Sequence, residues 1–142
     1  MKNATILFLL TANAMIGYSQ QWNNNLDDAF KEASSSGKNV LLFFSNSVDC
    51  ERCIKLDKNV LQSPEFKDFA KDNYVLVKQD FSLNNAENLE ENLLIVEKYN
   101  KDGFFPLVVI LNNKAKILGQ VGAYNNETPS QYLTRLQSIK KI

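Results

Sequence analysis

The chain has 142 residues, of which 44% are hydrophobic and 11% aromatic, so it is long enough for one globular domain with an ordinary apolar core. Its 16 basic and 16 acidic residues balance, and nothing therefore indicates nucleic acid or an anionic membrane surface as a partner. With two cysteines and no histidine, the chain cannot by itself close a zinc site, which normally needs four such ligands.

The first twenty residues differ in composition from the rest of the chain. Lys2 is followed by an apolar stretch to about Ile16, and small residues stand at the −3 and −1 positions before Gln20. This stretch is short for a membrane span. We therefore predict a signal peptide over residues 1–19 and a mature domain over residues 20–142 with no stable membrane span, exported to the periplasm or secreted. Ala12-Asn13-Ala14 is a second candidate cleavage site, and an uncleaved anchor is the alternative to cleavage.

The remaining sequence alternates between helical and extended patterns. Helical spacing is predicted at 26–35, from 50 onward, from 63 onward, at 86–100 and from 128 onward, and strands at 40–44, 74–80, 106–111 and 115–121. This order predicts an α/β fold in which a right-handed crossover joins a parallel strand pair and a terminal hairpin adds an antiparallel edge.

Apolar residues at helical spacing mark the expected inner faces of the helices. They are Leu26, Ala29, Phe30 and Ala33; Ile54, Leu56 and Val60; Phe66, Phe69 and Ala70; Leu89, Leu93, Leu94, Val96 and Tyr99; and Tyr132, Leu133, Leu136 and Ile139. Asn25 and Ser63 are predicted N-caps, and Pro64 and Pro129 suit the first turn of their helices.

Cys50 and Cys53 stand where the predicted strand 40–44 passes through a short loop into a helix. Two thiols separated by two residues can close and reopen a disulfide, and the partial positive charge of a helix N-terminus favours the thiolate. Covalent haem attachment would need a histidine after the second cysteine, where Ile54 stands. A structural disulfide is the alternative, although so short a loop constrains the unfolded chain little. The spacing therefore favours redox chemistry, which needs no metal or organic cofactor.

With a CxxC pair after the first core strand and Phe104-Phe105-Pro106 opening the third, the chain resembles the thioredoxin-like family. It is most similar to the secreted or periplasmic branch, in which a Trp and a Gly-Lys pair precede the first core strand, here Trp22 and Gly37-Lys38. The resemblance extends from Trp22 to about Leu136. It implies a thioredoxin-like sandwich, with a mixed central β-sheet flanked by helices.

The resemblance also implies roles for particular residues. Cys50 would be the exposed attacking thiol and Cys53 the buried resolving thiol. Phe105 and Pro106 would be joined by a cis peptide bond beside the disulfide, with the Phe105 backbone pairing an incoming peptide. X-Pro is the only realistic cis site in a protein, and proline is tolerated at the start of a strand.

The residues around the cysteines depart from the usual family pattern. Asp49 stands where many relatives carry Trp, and Phe44 stands where many carry a buried acid that relays protons to the resolving thiol. Between the cysteines, Arg52 should favour the Cys50 thiolate, whereas Asp49 and Glu51 should oppose it by like charge. The charges that shape the site therefore act in opposite directions.

These features predict a thiol–disulfide oxidoreductase that acts on protein thiols and disulfides outside the cytoplasm and is recycled by a redox partner. The apolar neighbourhood of Phe105, Pro106 and Phe81 is expected to hold an extended polypeptide. The direction of electron flow is open. The alternative is a non-enzymatic binding module of the same fold with a structural Cys50–Cys53 disulfide.

Overall fold

The structure is a computed structural model that describes residues 21–82 and 89–139. The predicted signal peptide, residues 1–19, lies outside the described residues, as does the predicted start of the helix at 86–88. The strands are β1 (Trp22–Asn23), β2 (Asn39–Ser45), β3 (Tyr74–Asp80), β4 (Leu107–Leu111) and β5 (Ile117–Val121). The helices are α1 (Leu26–Ser36), α2 (Glu51–Leu56), α3 (Pro64–Asn73), α4 (Leu89–Tyr99) and α5 (Pro129–Gln137), and a π-helical segment, Asp57–Leu61, continues α2.

The five strands form one mixed sheet in the order β1-β3-β2-β4-β5. β2 pairs in parallel with β3, from Asn39 opposite Tyr74 to Ser45 opposite Asp80, and antiparallel with β4. β4 and β5 form the predicted antiparallel hairpin. The predicted α/β fold with a mixed sheet is therefore confirmed, and its central strand delivers the chain directly to Cys50.

The short strand β1 was not predicted from the sequence. It pairs in parallel with β3, with Trp22 opposite Leu76 and Asn23 opposite Val77. Two residues are too few to show an alternating pattern, and the asparagines that follow Trp22 favour a turn over a strand. Backbone pairing with a neighbouring strand, and not local preference, makes this segment extended.

Helix boundaries follow from caps that the sequence contains. The Asn25 side chain accepts a hydrogen bond from the Asp28 N–H at 2.9 Å, and the Ser63 hydroxyl accepts one from the Phe66 N–H at 3.2 Å. Both predicted N-caps are thus confirmed. Gly37 ends α1 with φ of +70°, a conformation that glycine adopts without steric cost.

Side chains of β2 alternate between the two faces of the sheet and divide the core in two. Leu41 and Phe43 pack with residues of α2, α3 and α5 in one cluster, which also contains Cys53. Leu42 and Phe44 pack with residues of α1 and α4 in the other. All four side chains are fully buried, and burial of each contributes roughly 1.5–3 kcal/mol.

The inner face of α4 differs from the expected one. Tyr99 is buried and Val96 packs against the core, as predicted, but Leu89, Leu93 and Leu94 are each more than half exposed. Asn92 and Ile95 are buried instead. Because apolar residues occupy most positions of this helix, its sequence contains more than one possible apolar stripe, and only the packing against β2 and β4 selects among them. In the helix after the cysteines, Ile54 is likewise 46% exposed and not part of the inner face.

Candidate active site

The predicted disulfide between Cys50 and Cys53 is formed, with an S–S distance of 2.08 Å and a Cα–Cα distance of 5.2 Å. Cys50 is the N-cap of α2, and its Sγ accepts a hydrogen bond from the Cys53 N–H at 3.1 Å. Cys50 is partly exposed, whereas Cys53 is completely buried. When the bridge is reduced, this N–H and the helix N-terminus would stabilise negative charge on the Cys50 sulfur.

The loop before Cys50 is held from β3 by a carboxylate. Asp80 Oδ1 accepts hydrogen bonds from the backbone N–H groups of Ser47 and Ser82, each at 3.0 Å. Partial burial tends to raise the pKa of Asp80, but these hydrogen bonds outweigh it and the pKa is lowered. A second anchor is the Phe81 N–H, which donates to the Ser45 carbonyl at 2.8 Å. The carboxyl ends of β2 and β3 therefore fix the loop that presents the exposed cysteine.

Asn46 shapes the same loop from within. Its Oδ1 accepts hydrogen bonds from the N–H groups of Val48 at 3.1 Å and Asp49 at 2.9 Å, which is typical of an asparagine-capped turn. Asp49, which replaces the Trp of many relatives, is exposed. Its side chain therefore gives Cys50 no apolar cover.

The two residues between the cysteines are both exposed. The Glu51 carboxylate lies 2.7 Å from Lys55 Nζ, and the hydrogen bond and charge of Lys55 lower the pKa of Glu51. Since Lys55 partly neutralises Glu51, the predicted opposition of Glu51 to a Cys50 thiolate is weakened, while the positive charge of Arg52 remains beside the site.

Phe105 and Pro106 precede β4 and are joined by a cis peptide bond. Pro106 is buried, and Phe105 is partly buried and packs against the cluster that contains Cys53. The Phe81 and Phe105 rings meet edge to face with centroids 5.7 Å apart, and Phe81 stacks on Phe44 at 6.1 Å. The structure thus brings Phe81 and Phe105 into contact, and Phe81 packs against the cluster that does not contain Cys53. Phe44, at the position where many relatives have an acid, lies on the sheet face opposite Cys53.

Asn100, which the sequence did not single out, holds the segment that leads to Pro106. Its side-chain amide donates to the Phe104 carbonyl at 2.9 Å and accepts from the Phe104 N–H at 3.0 Å. Asn100 is only 3% exposed, so these are buried hydrogen bonds that the fold must satisfy. An asparagine between a helix and Gly103 indicates a helix end, and no sequence spacing reveals the bidentate contact to the backbone.

Other features of the described residues lie away from the cysteines. A cavity of about 590 Å³ lies where Lys38, Lys71 and Tyr74 approach one another, and neither cysteine lines it. Within residues 21–82 and 89–139, no three His, Cys, Asp or Glu side chains cluster as metal ligands. Across the same ranges, no helix is both long and apolar enough to cross a bilayer.

Comparison with known sequences gives a family and named relatives. A family model described as thioredoxin-like matches residues 21–113. The disulfide bond reductase DsbH of Chlamydia pneumoniae is 30% identical over 125 residues, which cover 86% of this chain and 74% of DsbH. The thioredoxin-related protein DsbJ of the same organism is 25% identical over 111 residues, but this chain spans only 32% of its length.

Among solved structures, a DsbH oxidoreductase superposes with a TM-score of 0.78 and 26% sequence identity. The match covers 95% of this chain and 94% of that structure. The similarity therefore extends over nearly the whole of both chains and includes the segment that carries the two cysteines.

Proposed function

The chain belongs to the thioredoxin-like family, and we propose that within it the protein reduces disulfide bonds of other proteins outside the cytoplasm. It is a thiol–disulfide oxidoreductase. The direction toward reduction is supported by similarity to a protein named a disulfide bond reductase.

The observation that carries the proposal is the unequal exposure of the two bonded sulfurs. Cys50 is partly exposed and Cys53 is fully buried. In the reduced protein, the Cys50 thiolate attacks a substrate disulfide, forms a mixed disulfide and releases the first substrate thiolate, which takes up a proton. The Cys53 thiolate then attacks Cys50 and expels the second substrate thiolate. The substrate disulfide gains two electrons from the two cysteine thiolates, which are oxidised to the 50–53 disulfide.

The surroundings of the site favour a polypeptide substrate. Val48, Ile54 and Phe104 are 54%, 46% and 64% exposed, and each lies within two residues of a cysteine or of Pro106 in the sequence. Exposed apolar groups of this kind are suited to contact apolar segments of a partner protein. We expect the backbone of Phe105, beside the cis bond, to pair with an extended peptide by strand addition.

Location outside the cytoplasm is supported by the signal-peptide pattern at residues 1–19 and by the tolerance of such compartments for disulfides. N-terminal sequencing of the protein purified from its own cells is expected to begin at Gln20. An N-terminus at Met1 on protein recovered from the cytoplasmic fraction would refute this location.

The roles of the two cysteines are tested by trapping. Cys53→Ser is expected to accumulate protein adducts that dithiothreitol releases, because the mixed disulfide forms but is not resolved. Cys50→Ser, the matched control, is expected to trap nothing and to lose turnover of a disulfide-bonded peptide. Adducts are counted by non-reducing electrophoresis and mass spectrometry.

Equal trapping by the two variants would contradict the assigned roles. A bridge that dithiothreitol does not open in the folded wild-type protein would instead support the binding-module alternative. Mild reduction followed by thiol labelling distinguishes these outcomes, since a redox-active bridge opens and closes without unfolding the domain.

A further inference from the structure

Cys53 must lose its thiol proton before it can react, and its burial makes this ionisation difficult. Its side chain is completely buried, yet it must be a thiolate to attack Cys50, because the thiolate and not the thiol is the nucleophile. Burial in apolar surroundings raises the pKa of a thiol and so disfavours ionisation. A base inside the protein therefore has to accept the proton when the mixed disulfide is resolved.

The strand beside Cys53 offers no such base. Leu41 and Phe43 are the β2 residues that share a cluster with Cys53, and both are apolar. The base must come from another element.

Asp57 lies one helical turn beyond Cys53. Its backbone N–H donates to the carbonyls of Cys53 and Ile54, so the helix is continuous between the two residues. Side chains four positions apart lie on the same helix face, with Cβ atoms about 5–6 Å apart. This spacing allows the Asp57 carboxylate to approach the Cys53 sulfur, directly or through one water.

Asp57 also begins the π-helical segment Asp57–Leu61. Such segments occur mostly as single-turn insertions in α-helices and frequently at functional sites. The departure from α-helical hydrogen bonding therefore starts at Asp57, the residue whose carboxylate follows Cys53 by one turn.

Lys78 on β3 holds the Asp57 carboxylate. Its Nζ lies 2.7 Å from Asp57 Oδ2, and the two side chains are only 28% and 20% exposed. Lys78 is the register partner of Phe43 and lies with its Nζ 5.7 Å from the centre of the Phe43 ring. Since Phe43 shares the Cys53 cluster, the ion pair lies on the Cys53 side of the sheet.

We propose that Asp57, oriented by Lys78, is the base that accepts the Cys53 proton during resolution; this assignment rests on the proposed function. The proton moves from Cys53 Sγ to the Asp57 carboxylate as the Cys50–Cys53 bond forms. The bond between Cys50 and the substrate sulfur breaks, and the substrate leaves as a thiolate. The proton passes from Asp57 to that thiolate or to solvent. Lys78 is a positioning residue.

Other titratable groups around Cys53 are poorly suited to this step. The cluster contains Tyr74 from β3 and Tyr132 from α5, and burial raises the pKa of both hydroxyls above their ordinary value of 10.0. Tyr124 lies in the same cluster and donates its hydroxyl to the Glu127 carbonyl. On the π-helical segment itself, Lys58 is exposed. Tyr74 and Tyr132 are therefore poor proton acceptors, the Tyr124 hydroxyl is engaged as a donor, and Lys58 faces solvent.

Asp80 is the carboxylate that competes with Asp57 for the role. It lies two residues beyond Lys78 on β3 and therefore on the same face. Its Oδ1 is already occupied by the N–H groups of Ser47 and Ser82, and these hydrogen bonds lower its pKa, which makes Asp80 a poorer proton acceptor than an ordinary carboxylate. Substitution of each aspartate separates the two assignments.

The test follows formation and decay of the mixed disulfide separately. Reduced full-length protein is mixed with a synthetic peptide disulfide homodimer, the reaction is quenched with acid, free thiols are alkylated, and the mixed disulfide is quantified by mass spectrometry. Asp57→Asn is expected to leave formation unchanged at pH 7 and to slow decay by about 10²-fold, the size of general-base effects. The difference should shrink only as pH rises beyond about 8.5, the ordinary pKa of a thiol, because burial makes Cys53 harder to ionise.

Companion variants fix the interpretation. Asp57→Glu, which keeps the carboxylate, is expected to restore most of the decay rate, and Lys78→Met to show a smaller loss than Asp57→Asn. Glu127→Gln breaks a comparable ion pair elsewhere and should change neither rate. Asp80→Asn, which loosens the loop before Cys50, should slow formation at least as much as decay.

If the mixed disulfide of Asp57→Asn decays at the wild-type rate at pH 7, the assignment is wrong. The assignment is also wrong if formation and decay slow by the same factor at every pH. A selective loss of decay in Asp80→Asn would transfer the role to Asp80. If Asp57→Asn does not fold, Lys78→Met decides alone, and a wild-type decay rate and pH profile would refute the pair. Absence of any mixed disulfide in both wild type and Cys53→Ser would refute the proposed function itself.

Discussion

Two ion pairs of similar burial lie in different regions of the molecule. Asp57–Lys78 lies beside the cysteine helix, and Glu127–Arg135 joins the turn before α5 to the last turn of that helix. Their side chains are 20% and 28% exposed in the first pair and 17% and 36% in the second. Exposure alone would assign the two pairs the same role. The groups that the two pairs contact differ, however, and these groups indicate different roles.

The Glu127–Arg135 pair ties a turn to a helix. The Arg135 guanidinium also donates to the carbonyls of Ala123 at 3.2 Å and Gly122 at 3.3 Å. Glu127 Oε2 in turn accepts the Asn125 N–H at 2.7 Å. Every hydrogen-bond partner is a backbone group or the other member of the pair, so this pair holds the chain between β5 and α5.

The Asp57–Lys78 pair instead joins the helical segment that follows Cys53 to β3. The Lys78 ammonium group of this pair lies near the ring of Phe43 on β2. The role of a partly buried ion pair is therefore determined by the groups that it contacts. We therefore expect changes at Glu127–Arg135 to alter stability, and changes at Asp57–Lys78 to alter chemistry.

The largest effect on stability is expected from Arg135→Ala. It removes the contact to Glu127, two hydrogen bonds to backbone carbonyls and the packing of the guanidinium on the Tyr132 ring, whose centre lies 5.7 Å away. The free energy of unfolding should fall by about 2 kcal/mol, less than for a fully buried pair because Arg135 is partly exposed. Urea unfolding of the oxidised protein measures the change.

Lys78→Met is the matched control for that measurement. Methionine keeps most of the apolar stem that packs near Phe43, and Asp57 retains contact with solvent. Its free energy of unfolding should change by less than about 1 kcal/mol. Equal losses of stability in Arg135→Ala and Lys78→Met would contradict the distinction between the two regions. So would a slower peptide turnover per folded molecule in Arg135→Ala.

A smaller effect is expected in acid, through Glu127. Burial tends to raise the pKa of Glu127, but the hydrogen bond from the Asn125 backbone and the charge and hydrogen bond of Arg135 outweigh it, and the pKa is lowered from its ordinary 4.5. The folded carboxyl thus binds protons less readily than the unfolded one. Its contribution to stability is complete above about pH 4.5 and is lost as pH falls below that value.

Glu127→Gln should therefore flatten the acid limb of the stability curve, by less than about 1.4 kcal/mol per pH unit, and leave its shape near neutral pH unchanged. Asp80 has a lowered pKa of the same sign, so the variant should keep part of the slope. Urea unfolding between pH 3 and pH 7 at constant ionic strength measures this slope. A slope identical to that of wild type would show that Glu127 does not carry the effect.

The smallest effect is expected at Tyr132, beneath Arg135. Among the described residues, the buried Tyr132 hydroxyl has no hydrogen-bond partner, so its loss in Tyr132→Phe should stabilise the protein by up to about 1 kcal/mol. Tyr124→Phe should instead destabilise it by a similar amount, because the Tyr124 hydroxyl donates to the Glu127 carbonyl at 3.1 Å. Thermal unfolding of the two variants should give shifts of opposite sign, and a destabilised Tyr132→Phe would reveal a partner for that hydroxyl.

Much of the fold could be predicted from the sequence because its strands and caps are locally consistent. β2 and β3 each contain a continuous apolar run, at 40–44 and 74–77, and Asn25 and Ser63 are strong N-caps. The inner face of α4 could not, since several apolar stripes compete on that helix. The strand β1 could not either, because only pairing with β3 makes it extended.

The candidate site was predictable to the extent that its chemistry lies in neighbouring residues. Cys50 and Cys53 identify themselves by spacing, and their disulfide is formed. The contacts of Asp57 with Lys78 and of Asp80 with Ser47 join residues 21 and 33 positions apart, and such pairs become visible only once strand register is known. An aspartate and a lysine on exposed-looking helix and strand positions carry no sequence signal of their own.

The reduction potential of the Cys50–Cys53 pair tests the central claim most directly, with the protein equilibrated in graded glutathione and dithiothreitol buffers. A protein-disulfide reductase is expected to have a potential toward the reducing end of the range of disulfide enzymes, about −230 to −270 mV, with reversible opening of the folded domain. A potential near −120 mV would contradict the proposed direction. A value well below about −300 mV, without turnover of peptide disulfides, would mark a structural bridge and contradict the redox function itself.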